Sequence, residues 1–300
     1  MHMSVRISLI AACLLAAALL HADDATILKI HDGRHWTWYA QTDQYQAHKA
    51  DIEAVYDYAD RAFDTLVAAW GIAPPKATYA LLVYPKPGGG FAAGDIGEVH
   101  GLTGADAPGI GCSFDAFFND AYGIKGYWAP VLITHEMVNL FTGQAVSGGW
   151  PVDWWADHVS PFPLMTAVQI EYQLRPDVAV HHAQQLSGPL EEMFVSLKDQ
   201  FGWSMFRRAF SYARADKINW GAIGENPSPL LTNYVCAYLQ LGAPEDLRPY
   251  FKGVVPGFNA DDMADILAAR KMLDRLAETD PNRAALRDDF LHGHYPARAK

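Results

Sequence analysis

From Trp128 to Thr142 the chain is apolar almost without interruption, and Val131, Leu132, Val138, Leu140 and Phe141 spread around a helical wheel instead of along one stripe. A helix apolar on nearly every side must be packed on nearly every side, so this segment belongs at the centre of whatever fold forms. Pro130 suits the first turn and Gly143 suits the stop, which predicts a helix from Pro130 to about Phe141. Two ionisable residues, His135 and Glu136, sit inside that run. Burying such groups is costly unless they are bonded. One reading makes them a hydrogen-bonded pair that holds two helices together. The other makes them a reactive centre.

The rest of the chain supplies what would surround this helix. Ile27 to Tyr39 reads as two extended segments about the turn Asp32-Gly33. Between Gln46 and Trp70, Ile52, Val55, Tyr56, Ala59, Phe63, Leu66 and Val67 recur at three- and four-residue steps, an amphipathic helix stopped by Gly71 and Pro74-Pro75. Thr78 to Tyr84 is a buried strand, Gly88-Gly89-Gly90 a flexible hairpin or rim loop, and Asp115 to Tyr122 a short surface turn. Asp153 can cap a short turn, and Pro161 and Pro163 restart a helix running to about Leu174. Helical periodicity then recurs at 189–198, 203–213, 228–241, 244–250 and 260–277. This order predicts an α+β protein: a mixed sheet with a long helix and the central helix in residues 23–143, an all-helical part in 144–280, and a C-terminal tail at 281–300.

Residues 1–22 read as a signal peptide, with Arg6 before the apolar run Ile7 to Leu20 and a cleavage site at Leu20-His21-Ala22. Ile10-Ala11-Ala12-Cys13 offers a lipoprotein box as the alternative. The mature chain is expected outside the cytoplasm, secreted or periplasmic, without stable membrane insertion and as a monomer. The 23 basic and 34 acidic residues give a formal net charge of −11. That balance argues against nucleic acid and anionic membranes as partners. Cys112 and Cys236 remain after cleavage, either paired or as two buried thiols.

Thr134-His135-Glu136-Met137-Val138-Asn139 resembles the zinc-peptidase signature H-E-x-x-H with asparagine in the last position. Asp157 follows Asn139 after 17 intervening residues, and Trp154-Trp155-Ala156-Asp157-His158 stands where such peptidases place a third ligand. The arrangement is similar to the gluzincin metallopeptidases, most of all the M60/enhancin-like group. Leu190-Glu191-Glu192-Met193-Phe194-Val195-Ser196-Leu197, Phe201 to Phe206 and Asp246 to Lys252 resemble that group's helical part. The similarity covers roughly Ile52 to Pro256. It implies a zincin-like fold, zinc or another divalent cation at His135, Asn139 and Asp157, with His158 as a substitute donor, and Glu136 as general base. Asn139 stands for a histidine and Asp157 for a glutamate, and an amide oxygen suits harder ions than zinc.

Tyr234 is a candidate donor to an oxyanion. Trp150 and Trp154 are candidates to stack on substrate, although Trp154 with Trp155 also suits a core. His181-His182 reads as a solvated pair. The activity so implied is hydrolysis of a peptide or glycopeptide bond. Two alternatives stand beside it: a pseudopeptidase without metal that binds peptide or glycan, and a glycosidase using Glu136 and Asp157 as paired carboxylates.

Overall fold

The computed structural model describes residues 27–71, 76, 78–84, 90–93, 108–118, 128–145, 161–183, 186, 188–224, 228–276 and 280–294. The chain is a mixed α/β protein rich in helix. Its elements are β1 (Ile27–Asp32), β2 (Trp36–Gln41), α1 (Thr42–Glu53), α2 (Tyr56–Trp70), β3 (Tyr79–Tyr84), β4 (Gly90–Ala93), β5 (Gly109–Ser113), the single turn α3 (Phe114–Phe117) and α4 (Trp128–Ala145). Then follow α5 (Pro161–Leu174), α6 (Pro176–Ala183), α7 (Pro189–Phe201), α8 (Trp203–Asp216), α9 (Trp220–Ile223), α10 (Pro229–Gly242), α11 (Arg248–Phe251), α12 (Ala260–Arg275) and α13 (Pro281–Leu291). None of the described helices is long and apolar enough to cross a membrane.

The five strands form one mixed sheet in the order β1-β2-β3-β5-β4. The inner pairs β2–β3 and β3–β5 are parallel, and the two outer strands run antiparallel to their neighbours. Alternation sets the faces. Trp36, Trp38 and Ala40 of β2 are buried with Tyr79, Leu81 and Val83 of β3 and with Ile110 and Cys112 of β5 on the side of the helices. Ala80 and Leu82 pack with Ile27, Tyr39 and Tyr84 as a separate cluster. The Asp32-Gly33 turn is anchored from α2, where the Asp60 carboxylate accepts the backbone N–H groups of Arg34 and His35, each at 2.9 Å.

The amphipathic segment expected from Gln46 onward is two helices. α1 ends at Glu53, and Ala54 and Val55 turn the chain before α2 begins. α2 buries Tyr58, Ala59, Ala62, Phe63, Leu66, Ala69 and Trp70 on one face and ends at Gly71, which adopts a left-handed φ of 64°. α4 starts two residues before Pro130 and runs through Gly143, because tertiary packing outweighs a single glycine. It packs against β4, β5, α2, α3 and α5. An aromatic hub joins these layers: Trp70 lies 5.9 Å from Phe162 and 5.0 Å from Phe210, and Phe63 meets Phe141 edge-on at 5.0 Å.

The helical half is tied to the sheet half by Arg207 of α8. Its Nε donates to the Ala69 carbonyl at 2.7 Å and its Nη2 to the Ala68 carbonyl, so a cation closes the C-terminal end of α2. Residues 281–291, read from sequence as tail, form α13 instead. Phe290 is buried there, and its carbonyl accepts the Tyr234 hydroxyl at 2.7 Å. Cys112 in β5 and Cys236 in α10 are both buried free thiols.

Candidate functional site

The central helix α4 delivers His135, Glu136 and Asn139 to the end of the sheet where β4 forms the edge. The Glu136 side chain is 4 % exposed and that of His135 12 %. Glu136 lies directly against the strand. A Cβ built on Gly90 would fall 2.3 Å from Glu136 Oε1 and 2.4 Å from its Cγ, closer than real atoms approach. Only a residue without a side chain lets the carboxylate reach this place. The sequence signal for this contact was the glycine triplet, whose last member opens β4 instead of belonging to a loop.

Within the helix the three residues form a small set. Asn139 Nδ2 donates to Glu136 Oε2 at 2.9 Å, and His135 Nε2 lies 4.0 Å from Glu136 Oε1. A carboxylate can only accept, so the Asn139 amide must turn its NH2 toward Glu136. Its carbonyl oxygen Oδ1 then points elsewhere, buried and without a hydrogen-bond partner among the described residues. A buried orphan acceptor of this kind calls for a donor or a cation. The carboxylate also makes itself felt across the site. Burial, and then the negative charge of Glu136, raise the Cys112 thiol well above its ordinary value. The Tyr84 phenol is raised by burial first, then by Cys112, Glu136 and Asp115.

Behind α4 lies a polar network that sequence reading missed. Thr134, one residue before His135, donates through Oγ1 to the Pro130 carbonyl at 2.8 Å. Its only proton is thereby used, so the Tyr58 hydroxyl, 3.0 Å away, is the donor to Thr134. Burial and then the nearby Glu171 carboxylate push the Tyr58 phenol up. Glu171 of α5 is fully buried, with Arg175 Nη1 at 3.9 Å from its Oε1. Tyr58 and Glu171 fall on buried helix faces where apolar residues were expected, and no local motif marks them.

The other candidates are distributed as follows. Trp150, Trp154, Asp157 and His158 lie outside the described residues. His181 and His182 fall in α6. Tyr234 is buried in α10, its ring tilted against that of Phe290 at 5.4 Å, with its hydroxyl donated to the Phe290 carbonyl. That bond gives it a packing role between α10 and α13.

Among the described residues no group of three His, Cys, Asp or Glu side chains is placed to hold a metal ion. They contribute one imidazole, His135, and one orphaned amide oxygen, Asn139 Oδ1. Those two donors fit part of a divalent-cation site, with a harder oxygen than zinc prefers. A third donor would have to come from the segment carrying Asp157 and His158.

No protein-family profile, no curated protein and no solved structure matches this chain.

Proposed function

We propose that the face of α4 beneath β4 is the cleft of an exported, metallopeptidase-like hydrolase that acts on peptide or glycopeptide bonds. The observation that carries this reading is the seating of a buried carboxylate, Glu136, against the backbone of an edge strand, with an imidazole and an orphaned amide oxygen beside it. Among the described residues β4 has a strand on one side alone, so its outer edge offers backbone donors and acceptors to an extended chain. A peptide lying along it would pass its amide groups over Glu136.

In the proposed chemistry Glu136 accepts a proton from the attacking water and returns it to the leaving amine. Asn139 holds Glu136 Oε2 in place while this happens, and Gly90 keeps the carboxylate within reach of the strand. His135 and Asn139 Oδ1, with Asp157 or His158, would hold a divalent cation. When bound, that cation supplies Lewis-acid polarisation of the scissile carbonyl and of water. The zincin-like character of the fold belongs to the same proposal, supported by the mixed sheet and the helix that bears His135 and Glu136.

One observation favours a second reading, a binding protein that keeps the cleft without hydrolysis. Glu136 already accepts from Asn139, and the residue one turn after His135 is an amide, not a second imidazole. A single set of measurements separates the two. The purified chain is assayed for bound metal by elemental analysis and for cleavage of mixed peptides and glycopeptides by mass spectrometry. Stoichiometric metal lost in His135→Ala, with cleavage abolished in Glu136→Gln, supports the hydrolase. Saturable peptide binding without metal or cleavage supports the binding protein, and absence of all three removes both.

A further inference from the structure

A second site lies far along the chain from α4, in the helical half, and is independent of the hydrolase reading. The end of α8 and the facing sides of α12 and α13 enclose a pocket of about 90 Å³. Three arginines line it, Arg270 from α12 and Arg283 and Arg287 from α13, over an apolar floor that includes Leu273 and Phe290. Two aspartates, Asp216 and Asp274, share the lining with them.

The two carboxylates in the pocket are both taken by one arginine. Asp216 accepts from Arg270 Nε at 2.6 Å and Nη2 at 3.2 Å, and also from the Tyr238 hydroxyl at 2.7 Å. Asp274 accepts from Arg270 Nη1 at 2.9 Å. Arg270 is therefore a structural cation, clamped on both sides. Arg283 and Arg287 stand one turn apart on the same face of α13, a spacing at which like charges repel. Arg283 Nε reaches the Leu273 carbonyl at 3.4 Å. Arg287 makes no hydrogen bond or ion pair among the described residues, although it is half-buried at the pocket wall. A guanidinium at a pocket wall without a carboxylate of its own among the described residues is a waiting partner for an external anion.

We propose that this pocket binds a small oxyanion, a phosphate group, on Arg287. The volume admits one such group. The fork of Arg287 supplies paired N–H donors that suit an oxyanion.

The test uses the full mature chain with inorganic phosphate and glycerol phosphate as probes, by calorimetry and by thermal shift against chloride at equal ionic strength. Phosphate should raise the melting temperature in a saturable way. Arg287→Ala should weaken binding about tenfold or more, and Arg287→Lys, which keeps charge but loses the fork, should fall between. Equal response to both probes assigns the ligand to a phosphate monoester, and response to inorganic phosphate alone assigns it to the free ion. The proposal is overturned if phosphate stabilises no more than chloride, or if Arg287→Ala, folded by circular dichroism, binds as well as the unaltered protein.

Discussion

Asn139 donates its side-chain N–H to Glu136 Oε2 at 2.9 Å, and that one bond decides which way the amide faces. The donor also steadies a carboxylate that is almost wholly removed from water. Asn139→Ala should therefore destabilise the protein by about 2 kcal/mol, the usual worth of a hydrogen bond to a charged group. Asn139→Asp should cost more, since two acceptors would face each other. Urea denaturation of the three proteins checks the order.

Gly90 permits contact between a strand and a carboxylate that no other residue would allow. In Gly90→Ala either β4 or Glu136 must move. Overpacking of this kind costs about 1–3 kcal/mol. Under the hydrolase reading, cleavage should fall by more than stability does, because the displaced group is the base. Parallel thermal melts and turnover measurements compare the two losses.

Tyr58 donates to Thr134, which donates in turn to Pro130, so the first turns of α4 are fastened to α2 from behind. Tyr58→Phe removes the first donor while leaving the ring in the core. The expected loss is about 1 kcal/mol, read from chemical denaturation. Trp70→Ala, at the aromatic hub, should cost about 3–5 kcal/mol by opening a cavity between α2, α5 and α8.

Burial raises the thiols of Cys112 and Cys236 and the phenols of Tyr58 and Tyr238 above their ordinary values. Each such group favours the folded state while protonated. That contribution is full below the unfolded pKa and is lost as pH climbs toward the folded one. Stability should thus decline on the alkaline side, from about pH 9 for the thiols and about pH 10 for the phenols. Melting temperature measured across that range tests the sign, and Tyr238→Phe should flatten the upper part. At neutral pH both thiols should resist alkylation in the native protein and react once it is unfolded, as mass spectrometry would record.

Much of the architecture was legible because periodicity reports burial. α5 spans Pro161 to Leu174 where two prolines restart a helical pattern, and β2 alternates as Trp36-Thr37-Trp38-Tyr39 suggests. The break at Ala54 and Val55 was not legible, since no glycine or proline marks it. α13 escaped because its polar residues resemble a solvated tail, and among its described side chains Phe290 alone is fully buried. At the site, His135, Glu136 and Asn139 could be named from spacing alone. Gly90 and Thr134 could not, because their roles arise from a strand and a helix distant in sequence.

The guanidinium of residue 207 bonds to carbonyls that precede it by 138 and 139 positions. A truncated chain stopping short of that arginine would leave the carbonyls of Ala68 and Ala69 without their cation and the indole of Trp70 wetted. Neither portion should therefore survive separate expression in soluble form, and attempts to map activity must rely on point substitutions instead of fragments.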